Sequence, residues 1–187
     1  MNRVGVLALQ GDVREHAALI GDLGAEPVLV KTPGELDSVD ALIIPGGEST
    51  TIGKMAVRFG LMDPLRSAIT TGLPTYGTCA GLILLANSLT EGDQPLVGGL
   101  DVVVRRNAFG RQNDSFETEL TIEGLNEGFH AVFIRAPWIE KAGSGVDVLA
   151  SIDEHPVMVQ QDKILASAFH PEMTGDSRIH QKLLDLI

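Results

Sequence analysis

The first half of the chain alternates between short apolar runs and stretches in which apolar residues recur at helical spacing. The short runs are rich in β-branched residues and end in glycine or proline, which is typical of buried parallel strands. These runs are RVGVLAL, EPVLVK, DALIIPGG and LPTYG. The helical stretches cover residues 13–23, 50–59, 61–70 and 82–89. This alternation predicts right-handed crossover units and a sheet covered by helices on both faces.

The pattern changes after residue 89, because LDVVVRRN, SFETELTI and HAVFIRAP follow one another with little helical periodicity between them. These segments predict added antiparallel or mixed strands. VDVLASI, HPVMVQQ and KILASAF predict three more strands, the last two joined as a hairpin through QDK. A final helix is predicted over residues 176–187, where Ile179, Leu183, Leu184 and Ile187 recur on one face.

The length of 187 residues fits one domain spanning residues 1–187, and no repeat or linker interrupts it. In open α/β sheets, ligands bind beyond the carboxyl ends of the strands. The loops that follow VLALQG, LIIPGG, LPTYG and ILASAF are therefore the candidate positions for a functional site.

Charge narrows the function classes, because 14 basic against 25 acidic residues give a net charge of −11. Such a chain repels nucleic-acid phosphates and anionic membranes, and an aromatic content of 4% offers few surfaces for base stacking. A solvated acidic surface explains the charge most simply, and a basic partner protein is the alternative. The lone cysteine suits a reducing compartment, and the first residues are apolar too briefly for a signal peptide or membrane span. We expect a cytoplasmic protein.

The only cysteine lies in GTCAGL, between a predicted strand and a predicted helix. A Gly-x-nucleophile-x-Gly segment in that context forms a sharp turn that displays its central side chain. Gly77 and Gly81 would supply steric room, because Cβ atoms there would collide with neighbouring backbone. The free N–H groups of the first helical turn would favour a thiolate at Cys79. A lone cysteine is also common as a buried core residue, so GTCAGL alone leaves both interpretations open.

FHPE offers a base and an orienting acid at the end of another predicted strand. In extended backbone, residues two apart point to the same side, so His170 and Glu172 can meet. Pro171 disfavours helical conformation at His170. Glu172 could accept a hydrogen bond from one ring nitrogen and leave the other to face the sulfur of Cys79. Alternatively, His170 simply ends a strand and Glu172 caps a helix or faces water.

IIPGGEST places two glycines at the end of a third predicted strand, where they allow another group to approach the backbone closely. The N–H of Gly47 could pair with that of Ala80 to bind a developing oxyanion. An ordinary turn into a helix capped by Ser49 or Thr50 explains the same residues. A phosphate loop is disfavoured, because the glycine and lysine spacing of a Walker motif is missing.

Arg105, Arg106 and Arg135 lie near strand ends, where arginine can clamp a carboxylate through paired hydrogen bonds. From spacing alone, solvated salt bridges explain them better. The remaining histidines show no metal-ligand spacing with Cys79 or with one another, and we predict that they are surface or core residues. They are His16, His130, His155 and His180.

Six segments in a fixed order extend these patterns over essentially the whole chain: LALQGDVREH, PGGEST, GTCAGLILLA, RRNAFGRQNDSFE, FIRAP and FHPE. Together they resemble the class I, triad-type glutamine amidotransferases, and among them the glutaminase subunits of pyridoxal 5'-phosphate synthase. LALQGDVREH and NAFGRQNDSFE are the more specific marks. The resemblance implies a three-layer, flavodoxin-like α/β fold with a mostly parallel central sheet, helices on both faces and extra mixed or antiparallel strands.

The resemblance also implies a chemistry. Cys79 would attack the side-chain amide of L-glutamine, His170 would act as base and acid, and Glu172 would orient the imidazole. The N–H groups of Gly47 and Ala80 would hold the oxyanion. Arg105 stays a salt-bridge residue, and neither a cofactor nor a metal is implied. The implied glutamine-binding residues are Gly47, Glu48, Ser49, Arg106, Ile134 and Arg135.

The implied partner is a synthase subunit with a (β/α)8 barrel, which would receive the ammonia in a hetero-oligomer and switch the glutaminase on. The loop after the first strand, including Gln10, is the expected contact. No nucleic-acid or membrane partner is expected. Two other interpretations stay open: a cysteine hydrolase of the same fold acting on peptides or γ-glutamyl chains, and a catalytically silent module that regulates a partner.

Overall fold

The computed structural model describes residues 1–110 and 115–187, and it is built around a seven-stranded sheet. Residues 111–114, part of the NAFGRQNDSFE segment, lie outside the described residues. The strands, β1 to β12 in chain order, are Arg3–Leu7, Glu26–Val30, Ala41–Ile44, Thr75–Thr78, Ala86–Leu89, Leu100–Arg105, Ser115–Leu120, Phe129–Ile134, Trp138–Ala142, Asp147–Ile152, His155–Gln161 and Ile164–Ser167. The helices, α1 to α6, are Val13–Asp22, Pro33–Leu36, Ser49–Arg58, Met62–Thr70, Ala80–Leu85 and Arg178–Leu184. A 3-10 turn covers Pro171–Met173.

The central sheet has the strand order β10-β11-β12-β4-β3-β1-β2. The five strands from β12 to β2 are parallel, while β11 runs antiparallel to both β10 and β12. The parallel part follows the doubly wound order of flavodoxin-like folds. Every residue of β3, β4 and β12 is buried, so both faces of the sheet centre are covered. Helix α1 packs on β1 and β2, and α5 packs on β3, β4 and β12. The predicted α/β fold with a mostly parallel sheet is confirmed.

Two smaller sheets arise from the segments that predicted mixed or antiparallel strands. In one, β6 pairs in parallel with β5 and antiparallel with β9. In the other, β7 and β8 form an antiparallel pair. The hairpin of β11 and β12 is also present, and Asp162 in its turn has a positive φ of 50°. A positive φ is what a tight two-residue connection demands of the chain.

Three predictions for individual elements were wrong in part. The helix predicted over residues 82–89 begins at Ala80 and ends at Leu85, after which β5 pairs with β6. The second strand is not buried but lies at the sheet edge, where Leu29 is 47% exposed. The last helix ends at Leu184 and leaves Ile187 outside it and 42% exposed. In each case neighbours distant in sequence decide the outcome, since a short apolar run does not distinguish a strand from a helix or a covered strand from an edge.

Helix α2 and strand β9 were missed as well. Helix α2 carries a capping box, in which the Thr32 hydroxyl accepts from the Glu35 N–H and the Glu35 carboxylate accepts from the Thr32 N–H. That signal is present in TPGE and was available from the sequence. Strand β9 forms because it pairs with β6, and no local sequence pattern predicts that pairing. None of the helices in the described ranges combines the length and apolar character needed to span a membrane.

Candidate active site

Cys79 occupies the sharp turn between β4 and α5, with φ 48° and ψ −98°. That left-handed backbone region is strained for a residue with a Cβ atom. The turn is possible because its flanks are glycines. A Cβ at Gly81 would lie 2.1 Å from the carbonyl oxygen of Ile44, and one at Gly77 would lie 2.6 Å from the backbone of Gly81. The expected steric role of both glycines is confirmed.

Strand pairing brings the His170 segment to this turn. Strand β12 runs parallel to β4, with Ser167 opposite Thr78, and the Cys79 N–H donates to the Ser167 carbonyl at 2.8 Å. Three residues further on, the His170 N–H donates to the Val132 carbonyl in β8 at 2.9 Å. The ends of neighbouring parallel strands therefore place the cysteine and the histidine in one region, as the topology predicts.

His170 and Glu172 meet as expected, but not through extended backbone. His170 precedes the 3-10 turn with φ −109° and ψ 87°, and Glu172 lies within that turn. The turn brings Glu172 Oε1 to 2.7 Å from His170 Nδ1. Since Glu172 holds Nδ1, the other ring nitrogen, Nε2, is left for the sulfur.

A second carboxylate, unforeseen from the sequence, lies beside the same ring. Asp12 Oδ2 is 3.4 Å from His170 Nδ1, and one side-chain oxygen or ring nitrogen from each of Asp12, His170 and Glu172 lies within 4.8 Å of the others. Burial acts to lower the pKa of His170, but hydrogen bonds with Asp12, Cys79 and Glu172 outweigh it and raise that pKa to about 12. Burial raises the pKa of Glu172, against the opposing pull of His170. We interpret the three side chains as an imidazolium held by carboxylates.

The side chains open onto a cavity of about 340 Å³ at the carboxyl ends of the strands. Cys79 and His170 both line it, together with all six residues predicted to bind glutamine. Glu172 and Ala80 are buried beside it and do not line it. The full lining is Gln10, Asp12, Gly47, Glu48, Ser49, Cys79, Ile83, Arg106, Asn107, Ile134, Arg135 and His170.

The IIPGGEST loop is held against the first strand's loop. The Glu48 N–H donates to Gln10 Oε1 at 2.7 Å, and Gly47 has a φ of 150°. The residue that caps α3 is Glu48, whose carboxylate accepts from the Thr50 N–H, so the prediction of a Ser49 or Thr50 cap was wrong. Glutamate takes this role because its side chain reaches the same free N–H groups as a serine would.

The two neighbouring arginines differ in what they contact. Arg105 pairs at the surface with Glu140 at 3.1 Å, which is the salt-bridge role expected of it. Arg106 turns into the cavity, with Nη2 3.6 Å from Glu48 Oε1 and Nη1 donating to Gln94 Oε1 at 3.2 Å. Gln94 also accepts from the Ser49 hydroxyl at 3.1 Å. Sequence reasoning missed Gln94, because it lies in a loop without any motif.

Two buried histidines lie on the side of Glu172 that faces away from His170. His16 in α1 and His180 in α6 are both completely buried, and His16 Nδ1 is 2.8 Å from His180 Nε2. His16 Nε2 lies 3.2 Å from Thr78 Oγ1 and 3.5 Å from Glu172 Oε2. The prediction of surface or core residues is confirmed for these two, which lie in the core.

Comparison with known proteins places the chain among glutamine amidotransferases. The model of the SNO glutamine amidotransferase family matches residues 6–187. A protein from Frankia alni named pyridoxal 5'-phosphate synthase subunit PdxT is 59% identical over 99% of this chain and 94% of its own length. A protein of the same name from Mycobacteroides abscessus is 56% identical over 98% of this chain and 96% of its own.

Solved structures are also similar to this chain. A crystal structure described as a glutamine amidotransferase superposes with a TM-score of 0.94 at 51% identity, covering 98% of this chain and 97% of that one. A structure of PurLQS from Thermotoga maritima has a TM-score of 0.71 at 17% identity, covering 99% of both chains, and shows likeness of fold alone.

Proposed function

Because the chain belongs to the SNO glutamine amidotransferase family, we propose that the cavity beside Cys79 is the site where it splits L-glutamine into L-glutamate and ammonia. The chain is a glutaminase whose ammonia supplies pyridoxal 5'-phosphate, vitamin B6, synthesis. The observation that carries the site assignment is the single cavity lined by Cys79, His170 and the residues predicted to bind glutamine. The 2.7 Å contact of His170 with Glu172 supplies the base with its orienting acid.

In the proposed reaction, the Cys79 sulfur attacks the side-chain amide carbon of glutamine, and the carbonyl oxygen takes up the negative charge. The N–H groups of Gly47 and Ala80 stabilise that oxyanion. When the oxyanion collapses, the C–N bond breaks and His170 protonates the leaving nitrogen, which departs as ammonia. His170 then takes a proton from water, whose oxygen attacks the thioester, and collapse of the second tetrahedral intermediate releases glutamate and returns Cys79 as the thiolate beside the imidazolium of His170.

Opposite charges in the cavity suit an α-amino acid. Arg106 and Arg135 would bind the α-carboxylate of glutamine, because guanidinium groups match carboxylates in geometry and charge. Glu48, 3.6 Å from Arg106, would bind the ammonium group. Ser49 and Ile134 would complete the walls of the pocket. This arrangement favours free glutamine over an uncharged amide within a peptide.

The partner in this proposal is the synthase subunit, a (β/α)8 barrel that receives the ammonia. Gln10 and Glu48 are exposed and joined by a hydrogen bond at the cavity entrance, which makes this edge the contact surface we favour. A cytoplasmic location belongs to the same proposal and is supported by the lone free cysteine.

The test measures ammonia release with and without the barrel subunit, for the wild type, C79A and H170N, with K54A on the exposed side of α3 as a matched control. We expect release only from the wild type and K54A, and faster release when the barrel is present. Labelling of Cys79 by a glutamine-like chloroketone, blocked by glutamine, distinguishes this enzyme from a peptide hydrolase. Ammonia release that persists in C79A would overturn the proposed chemistry, and equal rates with and without the barrel would overturn the coupling.

A further inference from the structure

The second carboxylate oxygen of Glu172 points away from His170 into the protein. Among the described residues, Oε2 has no hydrogen-bond partner, although the Glu172 side chain is fully buried. The polar atom that does approach it is His16 Nε2, at 3.5 Å, from a side chain that is also fully buried. A buried carboxylate oxygen without a donor destabilises the folded state. A nearby N–H of His16 therefore stabilises the Glu172 carboxylate, even at a distance longer than an ordinary hydrogen bond.

His180 decides which tautomer of His16 faces Glu172. If His180 Nε2 donates across the 2.8 Å contact to His16 Nδ1, the proton of His16 is on Nε2 and points toward Thr78 Oγ1 and Glu172 Oε2. The opposite tautomer would turn a nitrogen lone pair toward a carboxylate oxygen and leave the buried His180 Nδ1 as a donor without an acceptor. The first arrangement avoids the unfavourable contact at Glu172, and it leaves His180 Nδ1 as an unpaired acceptor instead of an unpaired donor.

We propose that His16 is a positioning residue for the glutaminase reaction: its Nε2–H holds the Glu172 carboxylate in the orientation and charge state that serve His170, with His180 fixing the tautomer. This rests on the proposed function of the Cys79 site. His16 does not line the cavity and touches neither glutamine nor the reacting atoms. Its action passes entirely through Glu172.

The electrostatics of the surroundings fit this role. Burial first, and then the neighbouring His180 and His170, hold the pKa of His16 well below its usual value, so the ring stays neutral and offers one N–H. Burial lowers the pKa of His180 to about 4, against the pull of Asp176, so it is neutral too. The charged groups that face Glu172 are His170, which favours its ionised form, and Asp12, which opposes it. Tyr76, whose pKa burial raises, also stays neutral.

Two variants of similar polarity separate positioning from simple packing. In H16N, the amide reaches the place of Nδ1, next to His180, but stops short of Glu172. In H16Q, the amide nitrogen reaches the place of Nε2. H130N serves as the control, because His130 is exposed and its ring hydrogen-bonds to Glu117 and Glu119 on the paired strand β7, away from Glu172. All four proteins are assayed in complex with the synthase subunit, and folding is checked by circular dichroism and melting.

For H16N we expect kcat to fall about tenfold, with KM for glutamine unchanged. Without the donor the Glu172 carboxylate is harder to ionise, so the acid limb of the kcat/KM profile moves up by about one pH unit. H16Q should restore both values, and H130N should match the wild type. Iodoacetamide should also alkylate Cys79 in the isolated chain more slowly in H16N, since a misplaced His170 ring no longer supports the reaction of the sulfur.

An unmoved acid limb in a folded H16N, or equal losses in H16N and H16Q, would show that His16 only packs and would overturn the proposal. If H16N does not fold, His16→Met takes its place, because it fills the space without a donor. A wild-type complex that releases no ammonia would overturn the proposed function instead. The alkylation rate would still report on the contact between His16 and Glu172.

Discussion

Replacing Gly46 by alanine should move the imidazole of His170 without replacing any side chain of the candidate site. Gly46 is buried two residues beyond the end of β3, and a Cβ built on it would lie 2.5 Å from His170 Cε1 and 2.9 Å from Asp12 Oδ2. The backbone itself tolerates alanine, because Gly46 does not have a positive φ. The clash therefore falls on the ring of His170 and on the carboxylate beside it.

The size of the effect follows from the distances. Ordinary contacts of a Cβ begin at 3.4 Å, so the ring must retreat by about 0.9 Å, away from a position fixed by the 2.7 Å bond to Glu172. A misplacement of about 1 Å in a catalytic group costs about 100-fold in rate, or about 2.7 kcal/mol of transition-state stabilisation. The fold should lose less, about 1 to 3 kcal/mol, as is usual for one added methyl group in a packed core.

The assay compares kcat of G46A and G21A in the complex, with thermal melts of each isolated chain. Gly21 lies in α1, and a Cβ there meets nothing within 4 Å, so G21A should keep full activity and gain up to about 1 kcal/mol in stability. A folded G46A with wild-type kcat would refute the reasoning, because it would mean that the position of His170 does not depend on the bare backbone at Gly46. Slower alkylation of Cys79 in G46A would support it independently of glutamine.

Three further predictions concern single contacts. E172Q should lower kcat about 10²- to 10⁴-fold, because an amide neither fixes the imidazole tautomer nor stabilises its charge. Burial raises the pKa of Glu172 in the folded state above its ordinary 4.5, so this group stabilises the fold below pH 4.5 and loses that contribution as the pH rises through the folded-state pKa. Thermal melts at pH 7 should therefore show E172Q no less stable than the wild type. R106A should raise KM for glutamine at least tenfold, whereas steady-state kinetics of R105A should match the wild type, because the Arg105 pair is exposed. G81A should lower the free energy of unfolding by about 3 kcal/mol or more in a denaturant titration, since the added Cβ clashes with the Ile44 carbonyl and the backbone there cannot move to relieve the clash.

Local patterns were enough to predict most of the central sheet and the turn that carries Cys79. Buried parallel strands are continuous apolar runs, and a nucleophile turn needs glycine on both sides, so both leave marks a few residues long. The edge position of β2, the conversion of residues 86–89 to a strand and the existence of β9 leave no such mark. They depend on which strand finds a partner, and that partner lies elsewhere in the chain.

The site divides in the same way. Cys79, His170 and Glu172 were predicted because each lies in a short motif whose chemistry is recognisable from residue type and spacing. The contacts of Asp12, Gln94 and His16 were not, because each joins groups that only folding brings together: α1 against the FHPE segment, or the loop before β6 against α3.

By itself, then, the sequence determined the α/β class, the strand-end location of the site and the residue types available for chemistry, because these depend on local periodicity and steric room. Tertiary structure alone decided how Glu172 reaches His170, through a 3-10 turn rather than an extended strand, and what lies behind its second oxygen. The physical reason is range: backbone preferences act over a few neighbours, whereas the burial and orientation of a charge depend on every segment packed against it.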